Sequence, residues 1–259
     1  MRETNLRPLS AQDQIEFLDW DPGTTPPARL VTGVLAKCGG FPEEEAARLT
    51  VGQREALLLR LRSLTFGDRM SCVLRCPRAE CGERMDLDLR VSSLILDASP
   101  EVAGIHEAVV DDWLVKFRVP DGADQEAVGR MAYGDEQRAV EILLSRCVQS
   151  VERDGRRWSE IPAVVADRIS ETMAELDPQA EIALDAKCPA CGKTFRTILD
   201  TASFFFTEVS TRARALLGEV HLLASAYHWS EAEILEMPER RRRRYLDLVE
   251  ASLTRRALA

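Results

Sequence analysis

The spacing of apolar and polar positions divides this chain into helical and extended stretches. Ala28 to Lys37 carries apolar residues at helical spacing and runs into Gly39-Gly40, which predicts a helix with a glycine stop. Pro42 followed by Glu43 to Glu45 suits the first turn of a second helix. Val51 to Arg62 predicts a third, with Leu57, Leu58 and Leu61 on one side, and the three are expected to form a small bundle. A period of two then takes over. Met85, Leu87, Leu89 and Val91 alternate with charged residues, and Trp113, Val115, Phe117 and Val119 repeat the period with Leu114, Lys116 and Arg118 between them, up to Pro120; both runs predict half-buried strands. Helices are expected at Asp124 to Tyr133 and Asp135 to Cys147. Asp154-Gly155 sits between two short extended runs and predicts a tight hairpin turn. Ala163 to Leu176 is amphipathic, with Val165, Ile169, Met173 and Leu176 on one face, and Ile182 and Leu184 begin another strand. Leu216, Leu217, Val220, Leu223 and Tyr227 read as the apolar face of a long helix. Before all of these, a helical turn is expected around Ala11 to Leu18 and a loop at Asp21 to Pro27.

Composition narrows the class. Hydrophobic residues make up 45% of the 259, enough for a packed globular protein rather than a disordered one. No apolar run approaches the roughly 18 residues that cross a bilayer, and no apolar stretch follows the arginines of the first ten residues as a secretory signal would require. A cytoplasmic, reducing setting is therefore expected, and there seven cysteines point to metal ligation before disulfides. The formal net charge of −9 makes the chain a poor general ligand for nucleic acid, since phosphate neutralisation needs surplus Lys and Arg.

Two of the cysteine pairs share a pattern. Cys76-Pro-Arg-Ala-Glu-Cys81-Gly82 precedes the strand at Met85 to Arg90, and Cys188-Pro-Ala-Cys191-Gly192 precedes an extended run at Thr194 to Leu199. Each has Pro after its first Cys and Gly after its second. Such a turn presents two thiolates to one metal, and glycine lets the backbone leave the second ligand at positive φ. Four thiolates are the donor set of a structural zinc ion. Cys76, Cys81, Cys188 and Cys191 are thus the expected ligands of one zinc, in a zinc ribbon split by the insertion Gly82 to Lys187. The first pair has the looser C-x4-C spacing. Cys72, in the strand-like Ser71 to Leu74, and Cys38 and Cys147, in helical patterns, read as core. A fully thiolate-bound zinc keeps no open coordination position, so it folds a protein rather than catalysing. Its binding can supply roughly 10 kcal/mol to folding.

No catalytic signature competes with this reading. The three histidines, His106, His221 and His228, form no HExxH; no GxSxG, P-loop or strand-preceded GxGxxG occurs; and Asp111-Asp112 reads as a solvated turn at a strand entry. The chain is expected to be no enzyme. Its most distinctive segment lies near the end. Ser230 can cap a helix with Glu233 closing a capping box, Trp229 and Ile234 fit a hydrophobic staple, and Pro238 can start the next helix. Arg240, Arg241, Arg242, Arg243 and Arg244 then sweep more than a full helical turn, so they cannot share one solvated face. Arg242 falls on the apolar side with Tyr245 and Val249, where it must snorkel or meet a carboxylate. Arg, Trp and Tyr are enriched at binding hot spots. Tyr227, His228, Trp229, Leu235, Arg240, Arg241, Arg242, Arg243, Arg244 and Tyr245 are therefore the candidate partner-binding residues.

At these residues the chain resembles a known family. His221 to Glu250 (HLLASAYHWSEAEILEMPERRRRRYLDLVE) is similar to the C-terminal signature of the T-even phage baseplate hub assembly proteins, with relatives in phage-like contractile injection systems. Leu49 to Val91, including LTVGQREALLLRLRSLTFGD and the CPRAECGERMDLDLRV knuckle, and Val109 to Val148 extend the resemblance. It implies an assembly chaperone or hub-associated factor for the baseplate of a contractile tail, with hub or spike proteins as partners, in the cytoplasm or carried into the particle. The zinc rests on this sequence alone. A different class, a zinc-ribbon nucleic-acid-binding regulator acting through the C-terminal arginines, is the alternative. The expected fold is α+β and mainly helical, with the split zinc ribbon and a small antiparallel sheet at the centre. The expected organisation is an arm and linker at 1–27, a helical region at 28–70, the split ribbon with its insertion at 71–200, and a helical partner-binding region at 201–259.

Overall fold

The computed structural model of the chain describes residues 6–20, 25–96, 102–131 and 134–257. Part of the expected Asp21–Pro27 loop and the end of the expected helix at Tyr133 lie outside them. The protein is α+β, and its chain divides into two compact units: Met1–Pro8 with Gly23–Ala202, and Leu9–Pro22 with Ser203–Ala259.

In the first unit, α2 (Pro27–Gly39), α3 (Glu43–Arg48) and α4 (Val51–Phe66) follow in the expected order. Pro27 opens α2 at a position that needs no N–H donor, and Gly40 ends it at φ 66°. Thr50 caps α4 in a reciprocal box with Gln53. Leu57, Leu58, Leu59 and Leu61 are all buried, so α4 is enclosed nearly all round rather than on one stripe. Two of its arginines are buried as well. The Arg54 guanidinium donates to Thr32 Oγ1 at 3.0 Å, Ala46 O at 3.0 Å and Ala28 O at 2.6 Å. Arg62 closes the turn after the helix by donating to Gly67 O and Arg69 O, each at 2.6 Å. A side chain at Gly122 would overlap the Arg54 guanidinium, which explains why that position carries none.

The central sheet runs β3–β4–β5–β6 as an antiparallel meander: β3 His106–Val110, β4 Trp113–Phe117, β5 Val148–Arg153 and β6 Arg156–Trp158. Asp111 and Asp112 form the first turn, and Asp154 (φ 52°) with Gly155 (φ 69°) the last. One sheet face, Val110, Trp113, Val115, Phe117 and Val151, packs on Leu144 and Cys147 of α6 (Glu136–Cys147) and on Val165, Ile169 and Met173 of α7 (Ala163–Leu176). His106 is half-buried in β3 with its ring 5.7 Å from that of Phe117. The α5 helix (Gly122–Met131) carries Asp124, a wholly buried carboxylate gripped by Arg118 (2.5 and 3.0 Å), Arg146 (2.7 Å) and the Asp121 amide (3.0 Å). Burial opposes its charge, but these donors overcome it and hold the carboxyl down at about 2. Burial and the same carboxylate push the neighbouring Cys147 thiol up to about 12.

Two hairpins stand outside that sheet. β1 (Arg69–Arg75) pairs β2 (Arg84–Arg90), and β7 (Ala183–Lys187) pairs β8 (Thr194–Ile198), each as its own two-stranded sheet.

The second unit consists of α1 (Ala11–Glu16), most of α8 (Thr201–Tyr227), α9 (Glu231–Glu236) and α10 (Glu239–Ala257). Ile15 of α1 packs with Leu216 and Leu235, while Leu223, Ile234 and Val249 form a neighbouring cluster. Of the expected apolar face of α8, Leu216 and Leu223 are buried and Val220 and Tyr227 half-buried. Leu217, counted with them from sequence, is solvent-exposed, because one residue further turns it about 100° away.

Candidate metal centre and C-terminal surface

Each knuckle forms where one strand of an outlying hairpin hands over to the next. In the first, Cys76 N–H donates to Glu83 O at 2.8 Å, and in the second Cys188 N–H donates to Lys193 O at 2.9 Å, so both turns close on the same bond. The two extra residues of the first turn are absorbed within it, where Cys81 N–H and Gly82 N–H both donate to Arg78 O. Gly82 (φ 58°) and Gly192 (φ 71°) adopt the left-handed conformation that the residue after the second cysteine requires.

The two tips meet. The sulfurs of Cys76, Cys81, Cys188 and Cys191 all lie within 4.8 Å of one another, and no other such group occurs among the described residues. The nearest pairs cross between hairpins, Cys76 Sγ to Cys191 Sγ and Cys81 Sγ to Cys188 Sγ, each at 3.7 Å. A tetrahedral ion with metal–sulfur bonds of about 2.3 Å separates its sulfurs by about 3.8 Å. Spacing and donor type therefore both fit one four-coordinate metal ion. Cys76 and Cys188 are buried, Cys81 and Cys191 partly so.

Electrostatics favours ligation. At Cys191 the Lys193 amide N–H and the three neighbouring thiols stabilise a thiolate against desolvation and bring the group down to about 7. At Cys81 the Glu83 amide works the same way, yet desolvation and the other sulfurs prevail and push it up to about 12. Four sulfurs this close cannot all ionise on their own, and a divalent cation removes that conflict. The remaining cysteines stay apart: Cys72 is buried in β1 with its thiol toward Leu87 O, and Cys38 and Cys147 are core.

The C-terminal candidates separate into two groups. Ser230 and Glu233 make the reciprocal capping box of α9, with Ser230 N–H to Glu233 Oε2 at 2.8 Å. Tyr227 and Trp229 stack at 4.6 Å, and Tyr245 meets both edge-on at 5.5 and 4.8 Å, packed over Leu223, Ile234 and Val249. Leu235 is core. Arg242, only 3% exposed, donates to Glu219 Oε2 at 2.5 Å and Met237 O at 3.0 Å. These residues serve the unit's own packing, which corrects the expectation that Leu235 and Arg242 face a partner. His228, Arg240, Arg241, Arg243 and Arg244 are exposed. Arg243 is paired with Glu239 at 2.7 Å.

Sequence reasoning passed over Arg54 and Asp124, the buried charges of the first unit. A signal for Asp124 existed, because a carboxylate three residues after Asp121 at a helix start suits a turn that caps itself.

The described residues form a mainly helical α+β chain with one four-cysteine cluster, and none of their helices is long and apolar enough to cross a membrane. The T4 bacteriophage base plate protein family matches residues 2–206, and the chain belongs to that family. The match supports a role at the phage baseplate, together with other baseplate components. The match spans both knuckles and the central sheet but stops before His221–Glu250, the stretch on which the sequence resemblance is most distinctive. Neither a curated protein nor a solved structure matches the chain.

Proposed function

We propose that this chain is a non-enzymatic assembly factor for the baseplate of a contractile tail or phage-like injection system, acting on hub or spike proteins. The observation that carries the reading is the family match, which spans four fifths of the chain. In this reading one zinc ion is held by Cys76, Cys81, Cys188 and Cys191. Zinc suits a closed, redox-inert four-thiolate set, and what it supplies is a covalent-strength tie between chain segments about a hundred residues apart. The chain's own residues do the rest: the Glu83 and Lys193 carbonyls fix the turns, and Gly82 and Gly192 let the backbone leave each second ligand. The helices beyond the family match, from residue 207 onward, are the surface for partners. The acidic balance of −9 argues against the nucleic-acid regulator.

The test compares intact particles with lysates of cells assembling them. An assembly factor is bound to hub or spike proteins in the lysate and absent from finished tails. Fixed stoichiometry in the tails would make the chain a permanent subunit and overturn the assembly role. Elemental analysis of the purified protein is expected to return one zinc per chain.

A further inference from the structure

The exposed arginines of α10 do not fit a purely structural role. Arg240, Arg241 and Arg244 are solvent-exposed, and no ion-pair partner is found for them among the described residues. By contrast, Arg242 is buried on Glu219, and Glu239 takes Arg243 and Arg212. The free three stand in the opening turns of a 19-residue helix, where the macrodipole disfavours cations. Arg240 and Arg244 are also four apart, a spacing at which like charges repel. Helix physics alone would place carboxylates here. Leu248, 56% exposed, continues the same stripe about two turns on, away from the side that carries Arg242 and Val249.

From this geometry we infer that Arg240, Arg241, Arg244 and Leu248 form a docking face for a carboxylate-bearing segment of another baseplate protein. Charge complementarity selects the occupant: three guanidiniums unneutralised in a chain of net charge −9 seek fixed anions, and planar forks suit carboxylates. The exposed leucine asks for an apolar residue beside them. The chain as a whole is acidic, at −9, which a nucleic-acid backbone would avoid. The inference rests on the reading that this chain works on other baseplate proteins, and it replaces the aromatic trio, already stacked internally, as the point of contact.

The sequence makes the test clean. The lysines are Lys37, Lys116, Lys187 and Lys193, so the C-terminal unit has none. The tagged full chain is produced together with the baseplate proteins of its own tail, as wild type, as Arg240→Lys/Arg241→Lys/Arg244→Lys, and as Arg240→Glu/Arg241→Glu/Arg244→Glu. A carbodiimide then couples an introduced amine to a carboxylate only in direct contact; an amide forms and the reagent carries off the water as a urea. The expected result is recovery of a baseplate protein by wild type and the lysine variant, a cross-link from position 240, 241 or 244 to its Asp or Glu, and recovery lowered about tenfold or more by charge reversal. Unchanged circular dichroism establishes that the reversed variant is folded. Equal recovery by the reversed variant overturns this inference alone. Cross-links to a second copy of the chain, or recovery abolished by nuclease, overturn it in favour of self-association or nucleic acid. Recovery of no baseplate protein by wild type overturns both this inference and the assembly reading.

Discussion

The central sheet and the two knuckle hairpins start from the same backbone device and are closed by different physics. The four-stranded sheet lays one face on α6 and α7 and buries ten residues in a single cluster, so area removed from water holds it. The hairpins are two strands each and pair with no further strand among the described residues. An isolated two-stranded ribbon is marginal in water. Their inner residues, Met70 and Leu184, are buried toward the strand bases, while the tips carry only turns and cysteines. Where apolar area ends, four thiols converge. The comparison teaches that a chain can hold two distant segments together with ligands when it lacks the core to do so.

The sharpest way to break this comparison is to take the ligands away. Cys188→Ala, or stripping the protein with a strong chelator, is expected to abolish stoichiometric metal binding and open both tips to protease at 76–83 and 188–193. The near-ultraviolet signal of Trp113, packed in the sheet, is expected to persist. Loss of the sheet signal together with the metal would mean that the two regions fold as one cooperative element. The converse substitution is Ile169→Ala, at a wholly buried site on α7. It is expected to destabilise the first unit by about 2–5 kcal/mol in denaturant titration. Metal content should stay at one per chain.

A third region is held by charge rather than by apolar area or ligands. Asp124 is fully buried while its partners Arg118 and Arg146 are 29% and 39% exposed. Asp124→Ala leaves cations that water can reach, so a loss of about 2–3 kcal/mol is expected, below the full figure for a broken buried pair. Its folded carboxyl is held down at about 2, below the ordinary value near 4. The stabilisation is therefore present above about pH 4 and disappears as pH falls through the folded value. Asp124→Asn should flatten the acid limb of stability between those two limits, as read by thermal melts across pH.

How far the sequence reaches follows the same division. Strands with one clean apolar face, β2 and β4, are legible from alternation, and so is the Asp154-Gly155 turn. β3 is not, because His106–Val110 is short and leaves Val109 in solvent. The first half of α8 is hidden by Phe204-Phe205-Phe206, a run that blurs a period of 3.6. Arg54 and Arg62 escape notice because arginine reads as surface, and only the fold brings carbonyls round to receive them. The four cysteines are legible because ligand type and spacing are chemical constraints local to the chain. That the tips approach to 3.7 Å is a property of the tertiary structure.

The smallest expected effect sharpens the comparison within the knuckles themselves. Both place glycine after the second cysteine at positive φ, but their surroundings differ. At Gly192 an added methyl would meet nothing within 4 Å, so Gly192→Ala tests backbone conformation alone. A loss of about 1 kcal/mol is expected, a factor of about five in an equilibrium. At Gly82 the same methyl would meet the Arg75 guanidinium at 3.4 Å, in ordinary contact with the far end of a flexible side chain. Gly82→Ala should therefore weaken the site by a similar amount, despite the longer C-x4-C turn. Competition for the metal by a chromophoric chelator reads both. Equal shifts mean that the two turns present their thiols by one backbone rule. A much larger loss at Gly82 would mean that the Arg75 guanidinium, which donates to Gly82 O at 3.1 Å, is itself needed to hold the first turn closed.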